Sequence, residues 1–569
     1  MYKRIKSRRE VFVYISFAVL LLSLLIRLAY IHFYRSDFLR EIAKKQHSIF
    51  VEIEPKRGAI LDRNLSSLAL NICVDSLYAV PYEINDKEAT AQYLADILRL
   101  DYSSTLERLK RDKSFVWIAR KISQQDSQTI KKANIKGLGF IKESKRSYPK
   151  GVLSSHVIGF AGLDNYGLEG LELFYNEQLS GKKGWSVFLR DARQRKLIET
   201  SVLPAKDGFS LLLNIDEVIQ FIAETELDKA FKKTKAKGAS IIIIEPSSGR
   251  ILAMANRPTY DPNDFANSSH DERRNRAICN FFEPGSVFKI VTASAALAEN
   301  KVSEEDKFFC ENGEYRVANN ILHDHRPHGW LTFRGIIRES SNIGVTKIAQ
   351  ILGPELIYRY IKLYGFGDLL GIDLNGEVEG IIRPSRTWSK TSIGAIPIGH
   401  EVCVSALQLV SAVAAIANGG LLMQPFLVDS VVDENNNKIK ENQPWVIRRV
   451  MSQDTARRVK DMLVEVVESG TGRMGKIASV KVAGKTGTAQ KIDKAGGYSH
   501  SKFIASFIGF APADEPEIAM VVTLDEPYPY YGGVVAAPVF KEVTTEVLKY
   551  LKSRHFNSKL FYEAKRTTP

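Results

Sequence analysis

The stretch that decides the fold runs from Glu283 to Lys289 and reads EPGSVFK, followed directly by IVTASAALAEN. Pro and Gly before an apolar repeat predict that a helix begins here, with Ser286 in its first turn. The free N–H groups of a first turn favour developing negative charge. Lys289 falls on the same face one turn along, where a buried, neutral lysine can take the proton of a serine hydroxyl. The stretch therefore predicts an activated serine nucleophile.

The serine–lysine spacing alone is weak evidence, because it occurs elsewhere in the chain. The same spacing is present in three further pairs, Ser147 with Lys150, Ser180 with Lys183 and Ser499 with Lys502. We interpret these pairs as solvated coincidences. The predicted helix start distinguishes Ser286 from them.

A second cluster, Ser340-Ser341-Asn342, lies between the helix-like segments GIIRES and GVTKIAQIL. A hydroxyl and a carboxamide two residues apart, at a break between helices, can both face one cleft. The alternative is a simple helix cap, a common role of Ser and Asn. The cluster by itself does not decide between the two.

The third cluster is Lys485-Thr486-Gly487-Thr488, which follows a short apolar segment. Lys485 and the threonine hydroxyls can hold a carboxylate through charge-assisted hydrogen bonds. Gly487, without a side chain, can let a ligand approach the backbone closely. The alternative is a strand that ends in a polar turn.

Residues 206–552 predict an α+β domain. The runs ASIIIIE and RILAMAN flank a turn-forming PSSG segment and predict a β-hairpin. Later strand-like segments, at 480–484, 503–510 and 518–524, accompany long helix-like segments. This succession predicts an antiparallel sheet with helices packed on it, not a doubly wound parallel sheet. Residues 34–205 form a separate mixed region without a convincing catalytic cluster.

The N-terminal region predicts a membrane anchor. Residues 11–33 read VFVYISFAVLLLSLLIRLAYIHF, long enough as a helix to cross the ~30 Å hydrocarbon core. The basic residues of segment 1–10 favour a cytoplasmic N-terminus. No cleavage site of a signal peptide follows the apolar run. We expect one span with the rest of the chain outside the cytoplasmic membrane, and a basic C-terminal tail at 553–569.

Charge and cysteine content exclude little. The formal net charge of +14 could indicate nucleic acid, anionic lipid or an acidic polymer as a neighbour. We expect no nucleic-acid partner, because neither zinc-finger spacing nor an RNP-like motif is present. The four cysteines lie far apart, without a CxxC pair, and leave their pairing open.

Taken in order, S-x-x-K at 286–289, S-x-N at 340–342 and K-T-G at 485–487 resemble the motif set of penicillin-binding proteins and serine β-lactamases. RGAILDRN, GLEGLE, HGWLT, VAGKTGTAQ, IGFAPAD and YYGGVVAAPVF extend the resemblance to class B penicillin-binding proteins across nearly the whole chain. The resemblance implies a D,D-transpeptidase acting on peptidoglycan stem peptides, without metal or organic cofactor. It also implies the penicillin-binding transpeptidase fold, an antiparallel sheet with helices on both sides, preceded by a pedestal (dimerisation-type) domain and one transmembrane helix.

The same resemblance implies a role for each motif residue. Ser286 attacks the penultimate D-Ala carbonyl of a stem peptide, and Lys289 takes its proton. Ser340 relays a proton to the leaving amine, Asn342 orients Lys289, and Lys485 supports the relay electrostatically.

The K-T-G segment is expected to bind substrate. The hydroxyls of Thr486 and Thr488 would hold the terminal carboxylate beside Gly487. The backbone N–H groups of Ser286 and Thr488 would form the oxyanion hole. β-Lactams, as substrate mimics, would acylate Ser286.

The segment EPGS, rather than PPGS, resembles the division-specific septal enzymes, with the elongation-type class B transpeptidase as the alternative. A SEDS-family glycan polymerase and other divisome proteins are then the expected partners. His323, His325 and His328, with Asp324 and Cys310, have a spacing that could hold zinc. HGWLT resembles the division-type pattern without metal, so we expect none.

Other classes remain as alternatives. A serine β-lactamase shares the motifs but needs no anchor or pedestal, and a β-lactam sensor would carry several spans. A catalytically inactive scaffold would not need the full motif set. A D,D-carboxypeptidase differs only in passing the acyl group to water. The sequence does not identify the acceptor amine.

Overall fold

The structure is a computed structural model that describes residues 2–39, 48–190, 196–493 and 497–566. The chain divides into two compact units, Met1–Lys56 with Gly181–Gly208, and Arg57–Ser180 with Phe209–Pro569. This division differs from the domain boundaries expected from the sequence, because residues 57–180 belong to the same unit as the motif-bearing region. Those boundaries, at 10, 33, 205 and 552, stay a prediction.

The strands of the described residues are numbered in chain order. They are β1 Ser48–Ile53, β2 Ile60–Leu61, β3 Ser67–Ala79, β4 Val116–Ala119, β5 Leu138–Ser147, β6 Gly184–Arg190, β7 Lys196–Leu203, β8 Ser210–Leu213, β9 Gly238–Ile244, β10 Ile251–Arg257, β11 Phe281–Phe282, β12 Lys307–Phe309, β13 Glu314–Val317, β14 Asn320–His323, β15 Trp330–Thr332, β16 Val404–Ser405, β17 Leu421–Met423, β18 Val428–Val432, β19 Lys438–Glu441, β20 Val446–Arg449, β21 Ala483–Ile492, β22 Tyr498–Ala511 and β23 Ile518–Asp525.

The α-helices are numbered in the same way. They are α1 Tyr2–Phe33, α2 Lys87–Leu98, α3 Tyr102–Lys110, α4 Gln124–Ala133, α5 Ser155–Ile158, α6 Gly170–Phe174, α7 Asn176–Ser180, α8 Glu217–Thr234, α9 His270–Arg273, α10 Arg276–Cys279, α11 Lys289–Ala298, α12 Phe333–Glu339, α13 Asn342–Leu352, α14 Pro354–Leu363, α15 Ser392–Ala395, α16 Ala406–Ala417, α17 Gln453–Glu468 and α18 Gly532–Arg566.

The first unit contains α1 and a three-stranded sheet in the order β1-β6-β7. Within α1, Arg8–Phe33 has a mean hydropathy of 2.5 and is long and apolar enough to cross a membrane. The predicted N-terminal apolar helix is therefore present.

The central sheet of the second unit has five strands in the order β10-β9-β23-β22-β21, all antiparallel. Ile242 and Ile244 of β9 belong to one hydrophobic core, Ile241 and Ile243 to the other. Because side chains of a strand alternate between faces, a continuous apolar run fits a sheet that is covered on both sides. Helices α8 and α18 cover one face, and α16 covers the other. The predicted α+β layered fold is confirmed.

A second sheet joins segments that are distant in the sequence. Its strands follow the order β19-β18-β8-β2-β3-β4, and β5 also pairs with β3. Strand β2 pairs in parallel with β8, with Ile60 opposite Leu211. Strand β8, expected at the start of the motif-bearing domain, therefore shares a sheet with strands of the preceding region.

The bounds of one predicted strand were wrong. The strand expected at 480–484 instead runs from Ala483 to Ile492 and contains the whole K-T-G segment. Lys485 and Thr486 are polar but buried, so the strand lacks the hydrophobic alternation that a strand prediction needs. Helix α18 reaches Arg566, and the basic C-terminal tail at 553–569 stays a prediction.

Candidate active site

The predicted nucleophile lies in a tight helical turn. A 3-10 helix spans Gly285–Phe288, and α11 begins directly after it. Gly285 has φ +59°, and a Cβ there would lie 2.8 Å from the Thr488 carbonyl oxygen. Only glycine fits both the backbone conformation and this approach. Ser286 is half-buried, and within the described chain its hydroxyl makes no hydrogen bond, so it is free to turn.

Lys289 lies one turn after the serine and is fully buried. Its Nζ donates hydrogen bonds to the Ser340 carbonyl oxygen at 2.5 Å, to Asn342 Oδ1 at 2.8 Å and to Ser340 Oγ at 3.1 Å. Burial lowers the pKa of Lys289 to about 7, against the opposing charge of Asp324. A substantial fraction of this lysine is therefore neutral at physiological pH.

The Ser340–Asn342 cluster is a break between α12 and α13, as predicted. Ser340 adopts φ 62°, which ends α12 and turns the chain sharply. Ser341 is the N-cap of α13, where its hydroxyl accepts a hydrogen bond from Gly344 N. Both sequence interpretations hold in part, because the middle residue caps the helix while its two neighbours bind Lys289.

Lys485 brings the third motif to the same hydroxyl. It lies at the start of β21, is fully buried, and donates to Ser340 Oγ at 2.8 Å and to the Thr486 carbonyl oxygen at 3.3 Å. Burial, together with the positive charge of Lys289, places its pKa well below the usual range. Two ammonium groups beside one hydroxyl repel each other, which favours the uncharged form of one of the two lysines.

The remaining K-T-G residues pack against neighbouring loops. Thr486 Oγ1 lies 3.0 Å from the Thr471 hydroxyl, and Thr488 Oγ1 accepts a hydrogen bond from Gly532 N at 3.0 Å. The Thr488 O–H is thus still available as a donor. β21 is an edge strand of its sheet, with every second residue's backbone polar groups pointing away from β22.

The structure gives a packing reason for glycine at 487. A Cβ at this position would lie 2.3 Å from Ser506 Oγ and 2.9 Å from both the Pro284 carbonyl oxygen and Val287 Cγ1. The missing side chain makes room for Ser506 and for the turn that carries Ser286, while the close approach of a ligand stays a prediction. Gly487 therefore sets the distance between the nucleophile and the edge strand.

Sequence reasoning missed the role of Asp324. Its carboxylate accepts hydrogen bonds from Ser341 Oγ at 2.6 Å, Asn342 N at 2.5 Å and Ile343 N at 3.1 Å. It thereby caps α13 and fixes the break that presents Asn342 to Lys289. Since the capping residue is remote in sequence from the helix start, no local capping pattern signals it.

The histidines near Asp324 do not converge. Among the described residues no three His, Cys, Asp or Glu side chains are grouped as metal ligands. The His325 ring packs on Tyr531 at 5.1 Å, and His323 Nδ1 lies 3.6 Å from Glu314. Cys310 is buried, with its Sγ 3.8 Å from the Phe308 carbonyl oxygen. Asp324, the acidic residue of the set whose spacing could hold zinc, serves instead as a cap of helix α13.

Known proteins share both the motif-bearing region and the one before it. Residues 239–545 match the penicillin-binding protein transpeptidase domain, and residues 52–213 match the penicillin-binding protein dimerisation domain. The chain belongs to the penicillin-binding protein transpeptidases, in the class B type that joins these two domains. The resemblance stated from the motifs is thereby confirmed.

Individual relatives match over nearly the whole chain. Stage V sporulation protein D of Bacillus subtilis is 36% identical over 96% of this chain and 86% of its own length. Peptidoglycan D,D-transpeptidase FtsI of Escherichia coli is 30% identical over 92% of this chain and 89% of its own. The crystal structure of penicillin-binding protein 3 from Mycobacterium tuberculosis with aztreonam has a TM-score of 0.70 at 27% identity, covering 88% of this chain and 97% of that one.

Proposed function

We propose that Ser286 carries the acyl group in the reaction of this protein, which is a serine-type peptidoglycan D,D-transpeptidase. The observation that supports this assignment is the convergence of Lys289, Asn342 and Lys485 around the Ser340 hydroxyl, one helical turn from Ser286. Clusters of buried groups with shifted pKa values mark catalytic centres. The septal role agrees with the similarity to FtsI.

In the first step, Ser286 Oγ attacks the carbonyl carbon of the penultimate D-Ala while Lys289 Nζ takes the hydroxyl proton. We assign this role to Lys289 and not to Lys485, because Lys289 begins α11 directly after the 3-10 turn that carries Ser286. A lysine with a pKa of about 7 can accept a proton at neutral pH and give it back later. The N–H groups of Ser286 and Thr488 would stabilise the oxyanion, at about 3 kcal/mol per donor.

In the second step, the C–N bond to the terminal D-Ala breaks and its amine takes a proton through Ser340. Lys485, whose Nζ donates to that hydroxyl at 2.8 Å, supports the transfer. The amine of a second stem peptide then attacks the acyl-enzyme. Its lost proton leaves through Lys289, a peptide bond forms, and the Ser286 hydroxyl is restored.

Substrate binding is assigned to the edge strand β21. An extended stem peptide can pair with the free backbone groups of an edge strand, as peptides commonly do. The O–H of Thr488 and the hydroxyl of Thr486 would hold the terminal carboxylate, and β-lactams would occupy the same place. M. tuberculosis penicillin-binding protein 3 is itself known with aztreonam bound.

The location and partners extend the proposal. The apolar helix Arg8–Phe33 would anchor the chain in the cytoplasmic membrane, with a cytoplasmic N-terminus and an extracytoplasmic catalytic unit. A SEDS-family glycan polymerase and other divisome proteins are the partners we assign to it. Support for them is the family resemblance alone.

Acylation of the full-length protein by fluorescent penicillin tests the nucleophile. We expect stable label on the wild type and none on Ser286→Ala, with D-Ala released from a synthetic stem peptide by the wild type only. Ser147→Ala is the matched control, since Ser147 precedes Lys150 at the same spacing but ends strand β5. Label retained in Ser286→Ala overturns the assignment, and rapid loss of label from the wild type indicates a β-lactamase.

A further inference from the structure

The carboxylate of Glu283, close before the nucleophile, joins three separate parts of the chain. Its side chain is 8% exposed. It pairs with His400 Nδ1 at 2.7 Å, and it accepts hydrogen bonds from Glu401 N at 2.8 Å and from Tyr498 OH at 3.1 Å. Buried carboxylates are stabilised by such multiple donors.

The three donors come from two elements, since His400 and Glu401 lie on one loop and Tyr498 lies on β22. The loop that contains His400 also holds the nucleophile turn directly, because Gly285 N donates to the Gly399 carbonyl oxygen at 3.2 Å. A Cβ on Gly399 would collide with the backbone of Gly285, so loop and turn are in close contact. The first partner of Glu283 therefore fixes the turn that carries Ser286.

Tyr498 connects Glu283 to the K-T-G strand. Tyr498 is the first residue of β22, which pairs with β21 from Ala483 to Ile492. Its ring packs edge-on against the His400 ring, with centroids 4.8 Å apart. Tyr498 lies at the loop end of this hairpin, where β22 extends beyond its pairing with β23 at Ile504–Ala511. A hydrogen bond at this end limits the movement of β21 relative to the nucleophile turn, since the opposite end is held by the sheet.

The groups around this cluster keep the Tyr498 hydroxyl in its donor form. Burial, and then the charge of Glu283, raise the pKa of Tyr498 well above its usual value, so its O–H remains a donor. The neighbouring Glu401 carboxylate is itself bound by Arg383 and by the Ser392 hydroxyl at 2.7 Å. Cys403, which also faces Glu283, has a pKa raised to about 11 by burial and therefore stays uncharged.

We propose that Glu283 is a positioning residue for acylation, which holds β21 and the Ser286 turn at their working separation through His400 and Tyr498. The inference rests on the proposed function of Ser286. Glu283 has no contact with the reacting atoms. Its effect is to keep the oxyanion donors on the turn and on the strand at a fixed distance, on which the stabilisation of the transition state depends.

Kinetics of penicillin acylation with the full-length protein test this role. Tyr498→Phe removes one hydroxyl and keeps the ring, and Glu283→Gln removes the charge. We expect the first-order acylation constant to fall about tenfold in each, with the non-covalent binding constant and the unfolding temperature near the wild-type values. Tyr82→Phe is the matched control, since Tyr82 is 70% exposed and lies outside this cluster.

The double variant tests whether the two residues act through the same contact. If they do, Glu283→Gln with Tyr498→Phe slows acylation by less than the product of the single effects. An unchanged acylation constant in Tyr498→Phe, or a loss that only follows the folded fraction, overturns the inference. Should Glu283→Gln fail to fold, Tyr498→Phe decides alone. Label that persists in Ser286→Ala would instead overturn the proposed function.

Discussion

At the scale of the residue, Lys289 is the group whose chemistry depends most on its surroundings. Its pKa of about 7 predicts that acylation is slow at acid pH, because a protonated lysine cannot accept the serine proton. The rate should rise about tenfold per pH unit below the pKa and level off above it. Rapid-mixing acylation from about pH 5 to about pH 9 measures this profile.

Lys289→Arg is the control for that profile, because a guanidinium cannot be deprotonated in this range. The acylation rate of Lys289→Arg should stay equally low at every pH in this range. A wild-type rate that does not change between pH 5 and pH 9 would contradict the assignment of Lys289 as the base.

Asp324 supports a second prediction. Asp324→Ala leaves the first N–H groups of α13 without their acceptor, which should cost about 1–2 kcal/mol of unfolding free energy. The charge of Asp324 also raises the pKa of Lys289, so its removal should shift the acid limb of acylation to lower pH. Denaturant unfolding and the pH profile measure the two effects. The exposed Asp112→Ala should change neither, and an acid limb that moves upward would disprove the electrostatic part.

The resemblance to a known motif set predicted that four of the site residues lie together. Lys289, Ser340, Asn342 and Lys485 form one hydrogen-bonded cluster in the structure, and Ser286 lies one turn before Lys289. Asp324 and Glu283 were not assigned these roles, because their contacts depend on residues that only the folded chain brings near. Local sequence patterns describe one helix turn or one strand, and neither contact lies within one.

At the scale of the element, β21 and the nucleophile turn lie in close contact because residue 487 of β21 is a glycine. Gly487→Ala would place a Cβ 2.3 Å from Ser506 Oγ and 2.9 Å from the Pro284 carbonyl oxygen, so the Ser506 side chain and either the strand or the turn must move. We expect a loss of about 1–3 kcal/mol of stability and a larger loss of acylation rate, since the move changes the oxyanion geometry. Denaturant unfolding and penicillin labelling measure both. Gly329→Ala, with no neighbouring atom nearer than 3.8 Å, is the control; equal acylation by both variants would count against this packing.

The bounds of β21 could not be predicted from the sequence. The run from Lys485 to Thr488 carries three polar side chains in four residues, which reads as a turn. In the structure these residues are buried against the Ser286 turn, Ser340 and Thr471, and their polar atoms are satisfied there. Tertiary contacts override strand propensity at such a place.

At the scale of the whole molecule, a buried ion cluster ties distant segments together. Glu172 has no exposure and binds Arg57 Nε and Arg146 Nε, each at 2.6 Å. Glu172→Gln would leave two guanidinium groups buried without their countercharge, which should cost about 3–5 kcal/mol. The acylation rate of the folded fraction should not change. Unfolding in guanidinium chloride measures the loss of stability, and penicillin labelling measures the acylation rate.

Glu107→Gln serves as the comparison for that variant. Glu107 pairs with Arg111 at 3.2 Å on the surface, where both side chains are largely exposed. Such a pair contributes little to the free energy of unfolding, so the unfolding midpoint of this variant should equal that of the wild type. Equal stability losses in the two variants would show that burial does not matter here.

The sheet β19-β18-β8-β2-β3-β4 determines the order in which its strands can pair while the chain is synthesised. Strand β2 needs β8 beside it, and β8 needs β18, yet β18 spans residues 428–432 and leaves the ribosome long after the other two. A growing chain therefore carries β8 with one edge unpaired while the intervening residues are added, and such an edge is open to wrong partners. Cutting the chain between residues 205 and 206 would separate β2 from β8 and leave one edge of each strand unpaired permanently, so neither piece is expected to stay soluble by itself.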